Sequence, residues 1–172
     1  MPRVTVPLEP KPVRASQVTL VQLMEQTDAN LAGLVHGGAV MRLADTAAGL
    51  AAIKHSDGLA VTASMDQMAF HHPVHVGDTL TVKASVNDVG RTSLEVGVRV
   101  ESENIFTRET LHTSTAYFVY VAIDRDGTPR PVPPLIAETD EDRRRQEEAR
   151  VRRASRLAHR TAIEELRRGS GA

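Results

Sequence analysis

The sequence contains no cysteine and no tryptophan, and only three phenylalanines and two tyrosines. Without cysteine the chain has no disulfide framework, no thiol nucleophile and no cysteine-based zinc site. With so few aromatic residues, its core must be built from Val, Leu, Ile, Ala and Met. No segment approaches the ~20 apolar residues of a membrane span. The net charge of −1 gives no general attraction to nucleic acids or membranes.

Composition divides the chain into three segments. Residues 1–15 contain several prolines and lack the apolar run of a secretory signal, so we expect an extended arm on a cytoplasmic protein. Residues 16–136 are predicted to form one folded domain. Residues 137–172 are dense in Arg and Glu, and we interpret them as a solvated helix with i,i+4 charge pairs. The alternative is a helix packed along an oligomer. RNA binding is disfavoured because acidic residues are interleaved throughout.

One helix and several strands are predicted between these ends. Residues 38–53 carry apolar side chains at spacings of three and four, which is typical of a helix face, and Gly58 is a candidate stop. Residues 17–24, 59–70, 79–87, 92–101 and 112–123 read as strands, with a hairpin turn at 88–91. The predicted class is therefore α+β, with one helix wrapped by an antiparallel sheet. The apolar helix positions are Val40, Leu43, Ala44, Ala47, Ala48 and Ala51.

The start of this helix has the composition of an active site. Gly37 and Gly38 allow backbone amides to face a ligand at the positive end of the helix, where they can polarise a carbonyl. Asp45 lies two turns further on, far from any N-cap. Asn30 precedes the glycines and can orient a water molecule by donating and accepting hydrogen bonds. His36 is either a general base or, as we favour, a structural residue that holds the loop.

The ordered motifs around these residues resemble one family. DAN-x-x-G-x-x-HGG, PV-x-x-GD, GRTS and AYFVYVA-x-D are similar in order and spacing to the hotdog-fold acyl-CoA thioester hydrolases of the cytosolic acyl-CoA hydrolase type. The match runs from about residue 17 to residue 134, and the charged tail is similar too. The resemblance implies a hotdog dimer, usually assembled further into a trimer of dimers, with active sites between subunits. The single hotdog copy must then complete its site by self-association.

The resemblance also assigns roles to residues. Asp45 and Asn30 would be the catalytic pair, contributed by different subunits, and the Gly38 amide would polarise the thioester carbonyl with Gly37 beside it. The segment Gly90, Arg91, Thr92 and Ser93 would lie near the nucleotide end of coenzyme A. Ser64, Met65 and Phe70 are expected to contact the substrate. No cofactor is expected apart from the coenzyme A carried by the substrate.

The chemistry of a thioester suits these residues, because the bond is already activated and needs only a base or nucleophile, a polarised carbonyl and a positioned water. Asp45 acts either as general base or as nucleophile through an anhydride. No G-x-S-x-G elbow is present. Two other functions stay open. The first is an acyl-thioester hydratase or dehydratase, although the helix offers no histidine beside Asp45. The second is a non-catalytic acyl-CoA-binding or assembly module.

The cluster HHPVH supplies His71, His72 and His75. Adjacent residues on a strand point to opposite faces and Pro73 bends the path, so convergence of three ligands on a metal ion is disfavoured. No metal site is predicted.

Overall fold

A computed structural model describes residues 8–169. Residues 1–7 of the predicted arm and residues 170–172 of the predicted tail lie outside the described residues. The two helices in this range are α1 (Gly37–Ser56) and α2 (Asp140–Gly169). The strands are β1 (Lys11–Pro12), β2 (Val18–Leu23), β3 (Ala60–Phe70), β4 (Asp78–Val89), β5 (Ser93–Asn104), β6 (Thr110–Ala122) and β7 (Leu135–Ile136).

Five strands form one antiparallel sheet in the order β2-β4-β5-β6-β3. Alternate side chains of β4 and β5 face α1 and are buried, as the alternation predicts, since successive residues of a strand point to opposite faces. The buried set comprises Leu80, Val82, Ala84, Val86, Leu94, Val96, Val98 and Val100.

Helix α1 lies against the inner face of this sheet. All six apolar positions predicted for its buried face are buried. Four of the six are alanine, which allows the helix backbone to approach the curved sheet closely. The helix ends at Asp57, which has a left-handed backbone (φ 55°), so the predicted stop at Gly58 is one residue late. Aspartate tolerates this conformation better than most residues with a side chain.

The described part of the N-terminal arm is attached to its own chain. Lys11 and Pro12 pair in parallel with Leu135 and Ile136, and a short 3₁₀ turn follows. The Ser16 hydroxyl at its end accepts a hydrogen bond from the Val86 N–H at 2.9 Å. The described part of the predicted arm is therefore anchored to the folded domain of its own chain.

Strand β3 forms one edge of the sheet. Its register with β6 shifts between Thr62 and Ser64 and again between Met65 and Gln67. These bulges interrupt the alternation predicted for this strand, because each extra residue moves the following side chains to the other face. Several apolar side chains of β3 are exposed, including Val61, Met65 and Phe70.

Helix α2 crosses the outer face of the sheet. Its central part is held by ion pairs from Arg152 and Arg156 to the buried Glu95 on β5, and Arg156 also pairs with Asp66 on β3. The residues after Arg156 are mostly exposed. The interpretation as a solvated helix therefore suits only the part of α2 after Arg156. Neither described helix is long and apolar enough to cross a membrane.

Candidate active site

Asp45 is a half-buried carboxylate on α1 with two hydroxyl partners. The Thr62 hydroxyl, on β3, donates to Asp45 Oδ1 at 2.8 Å. The Tyr120 hydroxyl, on β6, lies 2.7 Å from the same oxygen and 2.8 Å from the Asp45 main-chain carbonyl oxygen. Within residues 8–169, Asp45 Oδ2 has no hydrogen-bond partner. One carboxylate oxygen is thus fixed and the other is available for chemistry.

Tyr120 is a permanent hydrogen-bond donor in this arrangement. Burial is the main cause that raises the pKa of Tyr120, the neighbouring Thr62 hydroxyl lowers it, and the Asp45 carboxylate raises it further. The net pKa lies far above the ordinary value, so the phenol keeps its proton across the physiological range. Gly49 lies beside this phenol, and a Cβ at position 49 would be in van der Waals contact with the Tyr120 hydroxyl oxygen, at 3.4 Å.

The N-terminus of α1 forms a second group of predicted site residues. His36 is the N-cap, and its Nδ1 accepts a hydrogen bond from the Gly38 N–H at 2.9 Å. This bond matches the structural role favoured for His36, and it means that the Gly38 amide already has an acceptor. The Asn30 side-chain oxygen accepts from the Ala32 N–H at 2.8 Å and the Leu34 N–H at 3.3 Å, which holds the preceding loop in its turn.

The predicted substrate-contacting residues divide between the two groups. Phe70 packs over Gly37, where an added Cβ would lie 3.4 Å from the phenyl ring. Ser64 and Met65 are exposed on the middle of β3. They lie between the N-terminal group and the Asp45 group.

The hairpin Gly90–Arg91–Thr92–Ser93 joins β4 to β5 at the end of the sheet nearer Asp45. Leu94, which follows it, pairs with Tyr120, and Tyr120 pairs on its other side with Thr62. Arg153 of α2 lies against the hairpin, since a Cβ at Gly90 would be 2.6 Å from its guanidinium. The hairpin thus contains one arginine, Arg91, and contacts a second, Arg153 of α2.

The two groups do not meet within one chain. Gly37 and Asp45 are eight residues apart on α1, which corresponds to about 12 Å along a helix. No hydrogen bond among the described residues joins Asn30 to Asp45. In the single chain, the predicted catalytic residues therefore form two separate groups.

The histidine cluster is dispersed. The His71 ring packs against His112, with 5.3 Å between the ring centroids, and His75 Nδ1 lies 3.6 Å from Asp78. In the part of the chain that the structure describes, no group of three or more His, Cys, Asp or Glu side chains is arranged to hold a metal ion. The absence of a metal from the reaction stays a prediction.

Thr62 and Tyr120 were missed by sequence reasoning. Thr62 stands in no recognisable motif, and a bulge immediately after it obscures which face it occupies. The position of Tyr120 could have been predicted, because it shares the inward face of β6 with Ala116, Phe118 and Ala122. A buried tyrosine hydroxyl needs a polar partner, and Asp45 is the polar residue of the helix beside it.

Comparison with known proteins identifies the family. Residues 32–105 match the family described as the Thioesterase superfamily. The protein VdlD of Helicobacter pylori is 38% identical over 141 residues, covering 82% of this chain and 80% of that protein. A solved apo-hexameric acyl-CoA thioesterase is 37% identical, with 88% of this chain and 97% of that chain covered and a TM-score of 0.85. The chain belongs to the acyl-CoA thioesterase family. The resemblance found in the motifs and the hotdog fold are thus confirmed.

Two further members of the acyl-CoA thioesterase family add detail. The mouse cytosolic acyl coenzyme A thioester hydrolase is 34% identical over 157 residues, covering 88% of this chain, and the chain spans only 41% of that protein's length. The Staphylococcus aureus acyl-CoA hydrolase, solved with butyryl coenzyme A and coenzyme A, is 28% identical, with coverages of 94% and 99% and a TM-score of 0.84. Its alanine variants have been solved at an asparagine, an aspartate 15 residues later and a threonine 17 residues after that.

Proposed function

We propose that the protein hydrolyses acyl-CoA thioesters to a free acid and coenzyme A. The observation that carries this proposal is the Asp45 carboxylate, held through one oxygen by Thr62 and Tyr120 and open at the other. Asn30, Asp45 and Thr62 stand at the same spacings of 15 and 17 residues as the three positions replaced by alanine in the S. aureus hydrolase. These equal spacings support the same roles in both chains.

In the proposed reaction, water adds to the thioester carbonyl carbon and the carbon–sulfur bond breaks. As general base, Asp45 takes a proton from the water through Oδ2 and returns it to the departing thiolate, so protons balance. Asn30 orients the water, and the Gly38 N–H at the start of α1 stabilises the oxyanion. For that contact, the thioester oxygen replaces His36 Nδ1 as the acceptor of the Gly38 N–H. No cofactor takes part in this scheme.

As nucleophile, Asp45 would instead form an acyl anhydride that water then opens. A single turnover in ¹⁸O-labelled water tests this route. Label in the Asp45 carboxylate supports an anhydride that water opens at the aspartyl carbonyl. Label confined to the fatty acid means that water attacks the fatty acyl carbonyl instead.

The proposed active unit is a dimer formed through the free edge of β3. Thr62 lies beside Asp45, whereas Phe70 lies beside Gly37. If two β3 strands pair antiparallel about a two-fold axis near Asp66, Thr62 of one subunit comes opposite Phe70 of the other. That pairing brings the helix start and Asn30 of one subunit to Asp45 of the other. The exposed apolar residues of β3 would then be covered, and three such dimers would make the hexamer known for related thioesterases.

The substrate would enter along this interface. Ser64, Met65 and Phe70 with Gly37 would contact the acyl and pantetheine parts, and the Gly90–Ser93 hairpin with its guanidinium groups would receive the nucleotide phosphates. We place the reaction in the cytoplasm, because the mouse relative is a cytosolic hydrolase.

The decisive experiment is a thiol-release assay over acyl-CoA chain lengths. We expect the wild type to release coenzyme A and Asp45→Asn to lose at least about a hundredfold in kcat, as for removal of a general base. Asn30→Ala should lose activity too. The matched control is Asp140→Asn, since the Asp140 side chain is fully exposed at the start of α2 and belongs to none of the motifs.

Activity of Asp45→Asn close to the wild type would contradict the mechanism. A wild type that binds coenzyme A but releases none would instead favour the binding module, and hydration of crotonyl-CoA would favour a hydratase.

A further inference from the structure

The two hydroxyl groups beside Asp45 differ in how firmly the fold holds them. Thr62 lies on the exposed edge strand next to a bulge, whereas Tyr120 is buried on β6, between β5 and β3. The phenol ring is enclosed by the sheet and by α1, and its hydroxyl reaches both the Asp45 carboxylate and the Asp45 main-chain carbonyl. Tyr120 is thus the more rigid of the two partners.

A hydroxyl has one proton to donate, which limits what each partner can do. Thr62 donates to Asp45 Oδ1, and the Tyr120 proton is shared between Oδ1 and the main-chain carbonyl oxygen, both within 2.8 Å. Shared donation to two atoms of one residue fixes the side-chain torsion of Asp45, because rotation of the carboxylate would break the contact with Oδ1. Oδ2 is then directed away from both hydroxyls.

We propose that Tyr120 is a positioning residue that fixes the orientation of the Asp45 carboxylate so that Oδ2 meets the substrate. The inference rests on the proposed function, because the orientation matters only if Asp45 reacts. Tyr120 itself touches no reacting atom in this scheme.

The chain offers a matched control, because Tyr117 is its one other tyrosine. Tyr117 lies on the same strand but faces outward, with its ring 3.7 Å from the Arg152 guanidinium carbon. We expect Tyr120→Phe to lower kcat roughly tenfold, as for a lost hydrogen bond to a charged group, with KM changed less than about twofold. Tyr117→Phe should leave both constants near the wild type.

A double-mutant cycle with Thr62→Val tests whether the two hydroxyls act on one oxygen. If they do, the fold-losses of Tyr120→Phe and Thr62→Val do not multiply in the double variant, because residues that act as a unit are non-additive. Equal kinetics of Tyr120→Phe and Tyr117→Phe would overturn the proposal, as would a rise in KM with kcat unchanged.

Fluorine NMR provides a readout that does not depend on activity. Protein labelled with 3-fluorotyrosine has two signals, which Tyr117→Phe assigns. Asp45→Asn should move the Tyr120 signal and leave the Tyr117 signal in place; an unmoved Tyr120 signal would overturn the contact. If the wild type hydrolyses no acyl-CoA, the proposed function fails, and the fluorine spectrum still decides whether Tyr120 holds Asp45.

Discussion

At the scale of single residues, two polar side chains are buried at α1, and they differ in whether their polar atoms have hydrogen-bond partners. The Tyr120 hydroxyl has acceptors on Asp45. His55, in the last turn of the helix, is fully buried, and its Nε2 lies 2.9 Å from the Pro133 carbonyl oxygen. Its Nδ1 has no partner among the described residues. The ring must therefore be neutral, with its proton on Nε2, because a second proton on Nδ1 would be buried without an acceptor.

This arrangement predicts a pH-dependent stability. Burial is the main cause that lowers the pKa of His55, assisted by Lys11 and opposed by the Pro133 hydrogen bond and Asp57. As the pH falls below ~6.5, the unfolded state takes up a proton that the folded state resists, so the free energy of unfolding decreases. Urea unfolding at pH 7 and pH 5, at one protein concentration, measures this decrease.

The comparison variant is His55→Leu, which lacks the titrating group. It should be less stable than the wild type at pH 7, because the Pro133 carbonyl loses its donor, but its stability should decrease less between pH 7 and pH 5. His112, whose pKa burial also lowers, is present in both proteins and contributes equally. Identical pH dependence of wild type and variant would refute the role of His55.

At the scale of elements, the sequence predicted those features that depend on local pattern. The alternation of β4 and β5 and the three-four spacing of α1 each require only that one face be buried, and both were confirmed. The bulges of β3 and the attachment of α2 depend on partners far along the chain, such as Arg152 with Glu95. A charged helix with internal i,i+4 pairs looks the same in sequence whether or not it packs on a sheet.

The attachment of α2 predicts unequal roles for its ion pairs. Glu95 is buried and pairs with Arg152 and Arg156, whose side chains are only 22% and 26% exposed. Glu95→Gln removes the shared anion and should lower the free energy of unfolding by about 2 kcal/mol, less than for a fully buried pair. Glu164→Gln, which breaks the exposed pair with Arg160, should change the free energy of unfolding much less, because solvent screens this pair. Urea unfolding measures the free energy of unfolding of both variants. Equal losses would mean that α2 is not held through Glu95.

At the scale of the whole molecule, the candidate site depends on contacts between distant residues that the sequence alone could not predict. Motif spacing predicted Asn30 and Asp45 as site residues, because both stand in short segments that resemble those of the family. No distance between them followed from the sequence, and in the single chain they belong to two separate groups. In the proposed dimer, the edge of β3, where several apolar residues are exposed, sets the relation between the groups. Thr62 and Tyr120 come from two further strands, and only the folded sheet brings them to Asp45.

A subunit-mixing experiment tests this arrangement directly. Asn30→Ala and Asp45→Asn should each be nearly inactive. If each site takes Asn30 from one subunit and Asp45 from the other, a mixed dimer has one doubly altered site and one intact site. Random reassociation of equal amounts makes half the dimers mixed, so about a quarter of the wild-type activity should return. The measurement is thiol release after the two variants are unfolded and refolded together.

The matched control mixes Asp45→Asn with Thr62→Val. Thr62 donates to Asp45 within one chain, so each site of such a mixed dimer keeps one of the two defects. Activity should not exceed the mean of the two variants refolded separately. Recovery in the first mixture but not in the second would support sites shared between subunits. Absence of recovery in the first, with dimers shown by light scattering, would mean that Asn30 and Asp45 of the same chain meet after assembly.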